Sequence, residues 1–376
     1  MNRTAFCGLA AIVLSAVLAG CATTTPTVKA SLAEADKVAW AVKGADEEFT
    51  VAVSPAGGTI KMVPRVGKVV GTTVDLVIND RYRIAIREAL GDYSLPDVFL
   101  SRLEARLAKV VAAGSLTAVS SLDSTAGFHS TQDAQAARLT GLGKEGTEVL
   151  LDLDVQYGIY GAECEMRLTL GGKVVTVPGG RTLWRGKIPI TVGPFLANLK
   201  FKNPLLSQVA YFNKPRLSVD KDAATEMTQD DAVALREQFE TAVDAGISAL
   251  LCDMGLIEEG LGQYYLARHD FQKKRFDKAQ ERFERAMELT NNRTDVLNDL
   301  AVTCDRQGQP DKAIRLALQI LEQRPEYGPA LFNLAWWFAF EKENWVEARR
   351  YYEQALEAGM APSNKLEKGL EGPREE

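Results

Sequence analysis

Few side chains of this sequence have the spacing that catalysis or metal binding requires. Its two histidines, His129 and His269, lie far apart along the chain, and neither belongs to an H-E-x-x-H segment or to a Cys/His cluster. Asp152 and Asp154 share one face of a predicted strand, where alternating surface charge is the simpler explanation for them. The sequence therefore predicts no enzyme, no metal and no cofactor. The enzymatic alternative is a hydrolase with an unrecognised carboxylate site.

One glycine-rich segment has the sequence pattern of a nucleotide-binding site. The run from Gly141 to Gly146 fits the G-x-G-x-x-G pattern, which in dinucleotide-binding proteins follows a strand and opens a helix. Here it follows a predicted helix and precedes a predicted strand, so a helix C-cap with left-handed glycines is the better interpretation. No small-molecule substrate is evident from the sequence.

The thiol with the clearest chemical role is that of Cys21. Arg3 and the apolar stretch 9–18 indicate a signal peptide, because spanning a bilayer takes about 20 apolar residues. The stretch ends in Leu18-Ala-Gly-Cys21, which resembles the lipobox of bacterial lipoproteins. This resemblance implies that residues 1–20 are removed and that Cys21 receives fatty acyl chains, palmitate among them. An ordinary signal peptide or an N-terminal membrane helix is the alternative.

The same resemblance predicts a location for the chain. Inner-membrane retention is associated with aspartate after the lipidated cysteine, whereas this chain has Ala22. We therefore expect attachment to the outer membrane, with residues 21–56 as a lipidated tether. The formal net charge of −6 argues against a nucleic-acid partner and against electrostatic binding to anionic lipid. The remaining cysteines do not have the number or spacing of a disulfide framework. We therefore expect Cys164, Cys252 and Cys304 to be buried and to pack as small hydrophobic residues.

A regular repeat marks the C-terminal part of the chain. Leu266, Leu300 and Leu334 recur at one constant spacing, and an alanine follows each of them. A second helical segment in each unit carries small and large residues at helical spacing, as in Phe276-x-x-Ala279-x-x-x-Phe283-x-x-Ala286. This pattern resembles the tetratricopeptide repeat over residues 260–362. The resemblance implies an all-α solenoid of about three helix pairs with a concave face.

By this resemblance the first helix of each pair lines a groove that binds a protein partner. The matching positions are Tyr264, Arg268, Asn298, Val302, Arg306, Phe332, Asn333 and Trp336. Tyrosine, tryptophan and arginine also dominate the energetics of protein interfaces. Packing against a neighbouring helix is the alternative for each position. Trp336 and Trp337 point about 100° apart on a helix, so one of them can be core while the other faces the groove.

The middle of the chain, residues 57–227, is predicted to be a mixed domain of order β-α-β-α-β-β-β. Its first strand is expected within 69–78 and a hairpin turn at Gly171-Gly172. Its first helix is expected to open at Ser94-Leu-Pro96-Asp97, with the proline at the first helical position. In topology this order resembles a domain of envelope-assembly factors: the lipoprotein activators of penicillin-binding proteins, the curli export lipoprotein and the N-terminal domain of the Tol–Pal propeller protein. A connecting helix over 228–259 and a tail over 363–376 complete the α+β chain. Within the tail, Asn364 to Gly369 is a candidate for part of a cap on the repeats.

These elements together predict a lipid-anchored scaffold. The expected partners are the membrane, through lipid on Cys21, and one or more envelope proteins, through the repeat groove. A structural lipoprotein that associates with itself through the repeats is the alternative from another functional class.

Overall fold

The computed structural model describes residues 27–44, 50–52, 73–111, 115–121, 128–160, 165–194 and 229–370. The predicted signal peptide and Cys21 lie outside these residues, as does Cys164. The described chain is a mixed β-sheet with helices, followed by helices alone. The α+β class predicted from the sequence is thus confirmed.

The first part of the chain builds one six-stranded sheet. Its elements are α1 (Val28–Glu34), β1 (Val38–Lys43), β2 (Thr50–Ala52), α2 (Thr73–Leu90), α3 (Leu95–Leu107), β3 (Leu116–Ala118), α4 (Phe128–Lys144), β4 (Val149–Tyr160), β5 (Glu165–Thr176) and β6 (Thr182–Pro194). The strand order is β3-β1-β4-β5-β6, and β2 pairs with β4 further along that strand. β3, β1, β2 and β4 run parallel, whereas β4, β5 and β6 form an antiparallel meander.

The second part contains helices only. They are α5 (Gln229–Asp253), α6 (Gly260–Gln272), α7 (Phe276–Leu289), α8 (Thr294–Arg306), α9 (Pro310–Gln323), α10 (Gly328–Phe340), α11 (Trp345–Glu357) and α12 (Asn364–Leu370). Helices α6 to α11 form three consecutive antiparallel pairs, as the regular repeat of the sequence predicts. In the described part of the chain, no helix is long and apolar enough to cross a membrane.

The segment predicted as a tether over 21–56 contains a central strand. All residues of β1 from Val38 to Ala41 are buried, and β1 pairs with β3 on one side and β4 on the other. The prediction of a tether is therefore wrong for α1, β1 and β2. A strand buried on both faces lacks the polar–apolar alternation by which half-buried strands are recognised, so the sequence pattern does not reveal it.

The strand expected within 69–78 is also wrong where the structure describes it, because residues 73–90 form helix α2. β-branched residues favour a strand there, but Ile86 and Leu90 are buried at helical spacing. The next helix, α3, is the predicted one and begins at Leu95, one residue before the predicted first position at Pro96. The Ser94 side chain accepts a hydrogen bond from the Asp97 backbone N–H at 3.3 Å, which caps its first turn.

Gly171 and Gly172 lie inside β5 rather than at a hairpin turn. Gly172 has a φ of +134°, and an added Cβ would come within 2.3 Å of the Asp152 carbonyl oxygen. The glycine pair therefore allows β4 and β5 to approach closely, so the predicted turn is wrong. A turn at Pro178-Gly-Gly180 joins β5 to β6 instead. Gly146, at the end of the G-x-G-x-x-G run, has a φ of +83° after helix α4, as a helix C-cap requires.

Helix α5 joins the two parts through a continuous core. Residues 245–250 are all buried. On one side Gly246 lies against Leu168 and Leu170 of the sheet, and on the other Gly262 of α6 lies against Ser248. One cluster of buried apolar residues accordingly extends from Val28 to Leu370 through both parts, and a smaller cluster lies between α4 and the other face of the sheet. The predicted connecting helix is an interior element that both parts share.

The predicted tail contains one more packed helix. In α12 the side chains of Leu366 and Leu370 are buried, and the helix packs on α10 and α11. The Arg349 guanidinium donates to the Leu370 carbonyl at 2.8 Å. Residues 364–370 therefore cover the last repeat, as terminal caps of repeat proteins do and as the sequence suggests for 364–369, so the tail boundary at 363 is too early.

The close contact between α5 and α6 gives a stability prediction. In Gly262→Ala the new Cβ would lie 2.6 Å from the Ser248 carbonyl oxygen and 2.5 Å from Cys252 Sγ. We expect the free energy of unfolding to fall by about 1–3 kcal/mol, because packed backbone cannot easily move away. Urea denaturation of the full chain, followed by circular dichroism, measures the change.

Gly141→Ala is the matched control, since it is also a helical glycine but has nothing within 4 Å of the added Cβ. Alanine is expected to stabilise that helix by up to about 1 kcal/mol. Equal stabilisation by both substitutions would contradict the close packing of α5 on α6.

Candidate functional site

The first helices of the three repeats, α6, α8 and α10, carry all eight predicted groove positions. Each repeat contributes a buried leucine followed by an alanine with no exposed surface: Leu266-Ala267, Leu300-Ala301 and Leu334-Ala335. The alanines allow the second helix of each pair to approach closely. The positions around them are therefore held by tight packing between helices.

Tyr264 is a core residue of the first repeat. Its side chain is buried, and its ring lies 5.1 Å from that of Tyr265 and 5.9 Å from that of Phe283, measured between centroids. Its hydroxyl donates to Asp299 Oδ2 at 3.0 Å, which joins α6 to α8. Burial raises the pKa of Tyr264 well above its ordinary value, so the hydroxyl stays protonated and remains a donor.

Arg268 extends this contact between the repeats. Its Nε lies 3.8 Å from Asp299 Oδ2, and its guanidinium carbon lies 5.6 Å from the centroid of the Tyr264 ring and 5.9 Å from that of Tyr265. Burial raises the pKa of Asp299 to about 6, against the opposing effect of Arg268. Tyr264, Arg268 and Asp299 thus form a polar contact inside the array.

Asn298 and Asn333 make the equivalent contact between the second and third repeats. The Asn333 side-chain amide donates to Asn298 Oδ1 at 3.0 Å, with both residues buried. Val302 and Phe332 are also buried, and the Phe332 ring packs edge-on against Tyr352 at 6.4 Å. Five of the predicted groove residues (Tyr264, Asn298, Val302, Phe332 and Asn333) therefore lie in the interior, where they hold the repeats together.

The remaining three predicted positions retain exposed surface. Arg306 is exposed at the end of α8, Trp336 is half-buried, and the Arg268 side chain is 11% exposed. Trp336 contacts the Phe340 ring at 4.6 Å, and Lys365 Nζ lies 4.4 Å from the Trp336 centroid. Trp337 has no exposed surface, so Trp337 is the core member of the pair. We call Arg268, Arg306 and Trp336 the first-helix surface; partner binding there stays a prediction.

Asp299, a residue of the inter-repeat contacts, is absent from the predicted groove. Asn333 is among the predicted positions, and counting back one repeat from it gives Asp299. The spacing of the repeats therefore contains the signal for Asp299. The exposed lysine over the first-helix surface, Lys365, has no such signal because it lies beyond the last repeat.

The residues considered for other chemistry are distributed over both parts of the chain. His269 lies on α6, and burial lowers its pKa. Asp152 accepts a hydrogen bond from Arg138 at 3.0 Å, and burial raises the pKa of Asp154. Among the described residues, no group of three or more His, Cys, Asp or Glu side chains is placed to hold a metal ion. Cys252 and Cys304 are buried free thiols, as expected.

Comparisons with known proteins identify the repeats. Residues 246–326 and residues 330–366 each match a family model described as tetratricopeptide repeat. The C-terminal part of the chain therefore consists of tetratricopeptide repeats, and neither matching model is of a catalytic family. The first match begins within α5, which agrees with the packing of α5 on α6.

Comparisons of whole chains add little to this. No curated protein matches the chain. Seven chains of solved structures match it. One, described as "Crystal structure of MamA", has a TM-score of 0.29 and 20% sequence identity, and the match covers 35% of this chain and 77% of that one.

The environment of Asp299 predicts a pH dependence of stability. The pKa of about 6 in the folded chain exceeds the ordinary value of 3.8, so folding favours the protonated carboxyl. Through this group, stability is lost as the pH rises from about 4 to above 6, by on the order of 3 kcal/mol at most. The Asp299→Asn variant has no carboxyl group at this position, so it does not lose stability in this way as the pH rises. We expect its free energy of unfolding, relative to the wild type, to rise by about 1–3 kcal/mol between about pH 4.5 and about pH 7.5 in urea titrations.

Asp311→Asn is the control for this measurement. The exposed Asp311 carboxyl pairs with Lys342 at 2.5 Å, which lowers its pKa, so the small pH trend of this variant has the opposite sign. A relative stability of Asp299→Asn that does not change with pH would mean that Asp299 titrates like an exposed carboxyl.

Proposed function

We propose that this chain is a membrane-anchored lipoprotein whose tetratricopeptide repeats hold a protein partner during assembly of the bacterial envelope. The repeat array is the observation that carries the proposal, because stacked helix pairs present an extended surface suited to protein partners. The chain acts as a scaffold and performs no catalysis of its own.

The first-helix surface is the proposed contact with the partner. Arg306 offers an exposed guanidinium group, and Trp336 offers an aromatic face beside the Lys365 ammonium. Arg268 contributes the small exposed part of a side chain that is itself paired with Asp299. Arginine and tryptophan at partly exposed positions are typical of interface hot spots. A partner segment that combines acidic and apolar side chains matches this chemistry, since carboxylates pair with the cations and apolar groups cover the indole.

The junction between the two parts supports a scaffold of fixed geometry. Arg102 of α3 pairs with Glu240 at 2.5 Å and Asp244 at 2.6 Å, both on α5. At the other end of α5, Asp253 accepts hydrogen bonds from Trp184 Nε1 of the sheet at 3.1 Å and from Arg282 of α7 at 3.3 Å. The sheet and the repeats are thus linked by polar contacts as well as by the shared core.

Lipid on Cys21 supplies the membrane attachment in this proposal. Anchoring confines the scaffold to a thin layer at the membrane and raises its effective concentration for other envelope proteins. The outer membrane is the proposed location, on the basis of Ala22 after Cys21.

The proposed contact surface can be tested by crosslinking in cells. The double variant Arg306→Glu, Trp336→Ala reverses one charge and removes one indole without changing the buried inter-repeat contacts. We expect recovery of the crosslinked partner, quantified by mass spectrometry, to fall by about tenfold or more relative to the wild type. The double variant Arg315→Glu, Leu318→Ala is the control, since both residues are exposed on the second helix α9.

Recovery that is equal for both double variants would exclude the first-helix surface as the contact. If the crosslinked product contains only further copies of the chain, the self-associating structural lipoprotein is the correct alternative.

The anchor has its own test. Cells supplied with an alkyne analogue of palmitate are expected to label the wild-type chain and Cys7→Ala, but not Cys21→Ala. Cys7 is the matched control because it is a second cysteine within the predicted N-terminal segment. Cys21→Ala is also expected to keep its precursor mass, because lipidation precedes cleavage in this pathway. Label retained by Cys21→Ala would show that the lipid is elsewhere.

A further inference from the structure

One face of the sheet changes from apolar to charged along its length. Near the start of β4, helix α4 covers this face, where Leu139 and Leu142 pack on Leu150, Val175 and Val177. Further along the same face lies a cleft of about 310 Å³ lined by Lys43, Ser121, Asp152, Leu153, Asp154, Gly172, Lys173 and Arg185. We call it the sheet cleft.

Strand register brings the charged side chains of the sheet cleft together. Lys43 of β1 pairs with Asp154 of β4, and Asp152 of β4 pairs with Lys173 of β5. Lys173 pairs in turn with Arg185 of β6. Residues paired in register point to the same face of a sheet, so four neighbouring strands each contribute charge to one surface.

Positive charge exceeds negative charge in the sheet cleft. Arg138 of α4 donates a hydrogen bond to the Asp152 carboxylate at 3.0 Å. The Arg138 side chain is 11% exposed and the Asp152 side chain is 19% exposed. Lys173 Nζ lies 3.9 Å from the same carboxylate. Among the described residues that line the cleft, Asp154 is the one other carboxylate, and the cations whose charges act on it are Lys187 and Lys43. Lysine and arginine side by side on adjacent strands repel each other, and an anion between them would relieve that repulsion.

The position of the sheet cleft in the topology also suits a ligand. Lys43 is the last residue of β1, and Ser121 follows the end of β3. β1 runs parallel to β3 on one side and to β4 on the other, so the strand order reverses at β1. In open α/β sheets, ligands bind outside the carboxyl ends of parallel strands at such a reversal.

We propose that the sheet cleft binds a small organic anion, whose carboxylate or phosphate group is held by Lys43, Lys173 and Arg185. Asp154 lies beside the anion and faces a hydroxyl or amino group of the same ligand. Burial, and secondarily Asp152, raise the pKa of Asp154, while Lys187 and Lys43 act in the opposite direction. A volume of about 310 Å³ suits a molecule of the size of a sugar phosphate or a tricarboxylic acid.

Calorimetric titration of the full-length protein in detergent tests this inference. The probes are citrate for carboxylates, and glucose 6-phosphate and inorganic pyrophosphate for phosphates, at constant ionic strength. We expect at least one probe to bind with a Kd below about 1 mM, and the double variant Lys43→Ala, Arg185→Ala to weaken that binding by about tenfold or more. The preferred probe identifies which of the two acid groups the cleft selects.

Two further variants separate a binding site from a structural role of these charges. Asp154→Asn removes a negative charge beside the anion, so we expect it to tighten the binding of inorganic pyrophosphate, which has no hydroxyl or amino group for Asp154 to contact, by about threefold or more. Arg181→Ala removes an exposed arginine just before β6 and outside the cleft, and we expect it to leave the Kd unchanged. The inference is overturned if no probe binds at about 10 mM, or if the Lys43→Ala, Arg185→Ala variant, with a wild-type circular dichroism spectrum, binds as well as the wild type.

Discussion

The burial of helix α5 on both of its sides is the constraint on which the rest of the structure depends. Residues 245–250 of α5 are all buried, so this stretch must be enclosed, by the sheet on one side and by α6 on the other. Glycines mark both contacts: Gly246 admits Leu168, and Gly262 allows the α6 backbone to approach Ser248. Because neither part can bury this helix alone, the sheet and the repeats share one core. A force or a partner acting on the repeats is therefore transmitted to the sheet rather than absorbed by a linker.

Buried polar contacts determine how the repeats stack beyond α5. The Tyr264–Asp299 and Asn298–Asn333 hydrogen bonds each cross from one first helix to the next. Such contacts contribute little net stability, because the same groups hydrogen-bond to water when the chain is unfolded. They do penalise any other stacking, since a shifted repeat would leave buried donors and acceptors without partners. The curvature of the array, and with it the spacing of Arg268, Arg306 and Trp336, is thus set by residues that a partner does not need to touch.

Sequence periodicity predicts the repeats well and the sheet only in part. The spacing of Leu266, Leu300 and Leu334 matches the structure because each repeat solves the same packing problem. β1 is not predicted because a strand that is buried on both faces shows no alternation of polar and apolar residues. The turn at Gly171-Gly172 is predicted wrongly because glycine is favoured both in turns and where two strands approach closely. The groove positions come from a family pattern that fixes which residues lie on the first helices. It does not fix which of them are exposed, since that depends on contacts such as Asn298–Asn333, made between successive repeats.

The distribution of charge connects the two proposed sites. The chain as a whole has a net charge of −6, yet the sheet cleft and the first-helix surface are both locally cationic. An acidic background repels anions in general, whereas an approaching anion lowers its energy near these two places. This electrostatic preference for anions acts over about one Debye length, which is about 10 Å at about 0.1 M salt. Side chains on neighbouring strands or neighbouring helices lie within a comparable distance of one another. Ligand choice at each site then depends on shape: a cleft between strands admits a small acid, whereas an open helical surface admits a chain segment.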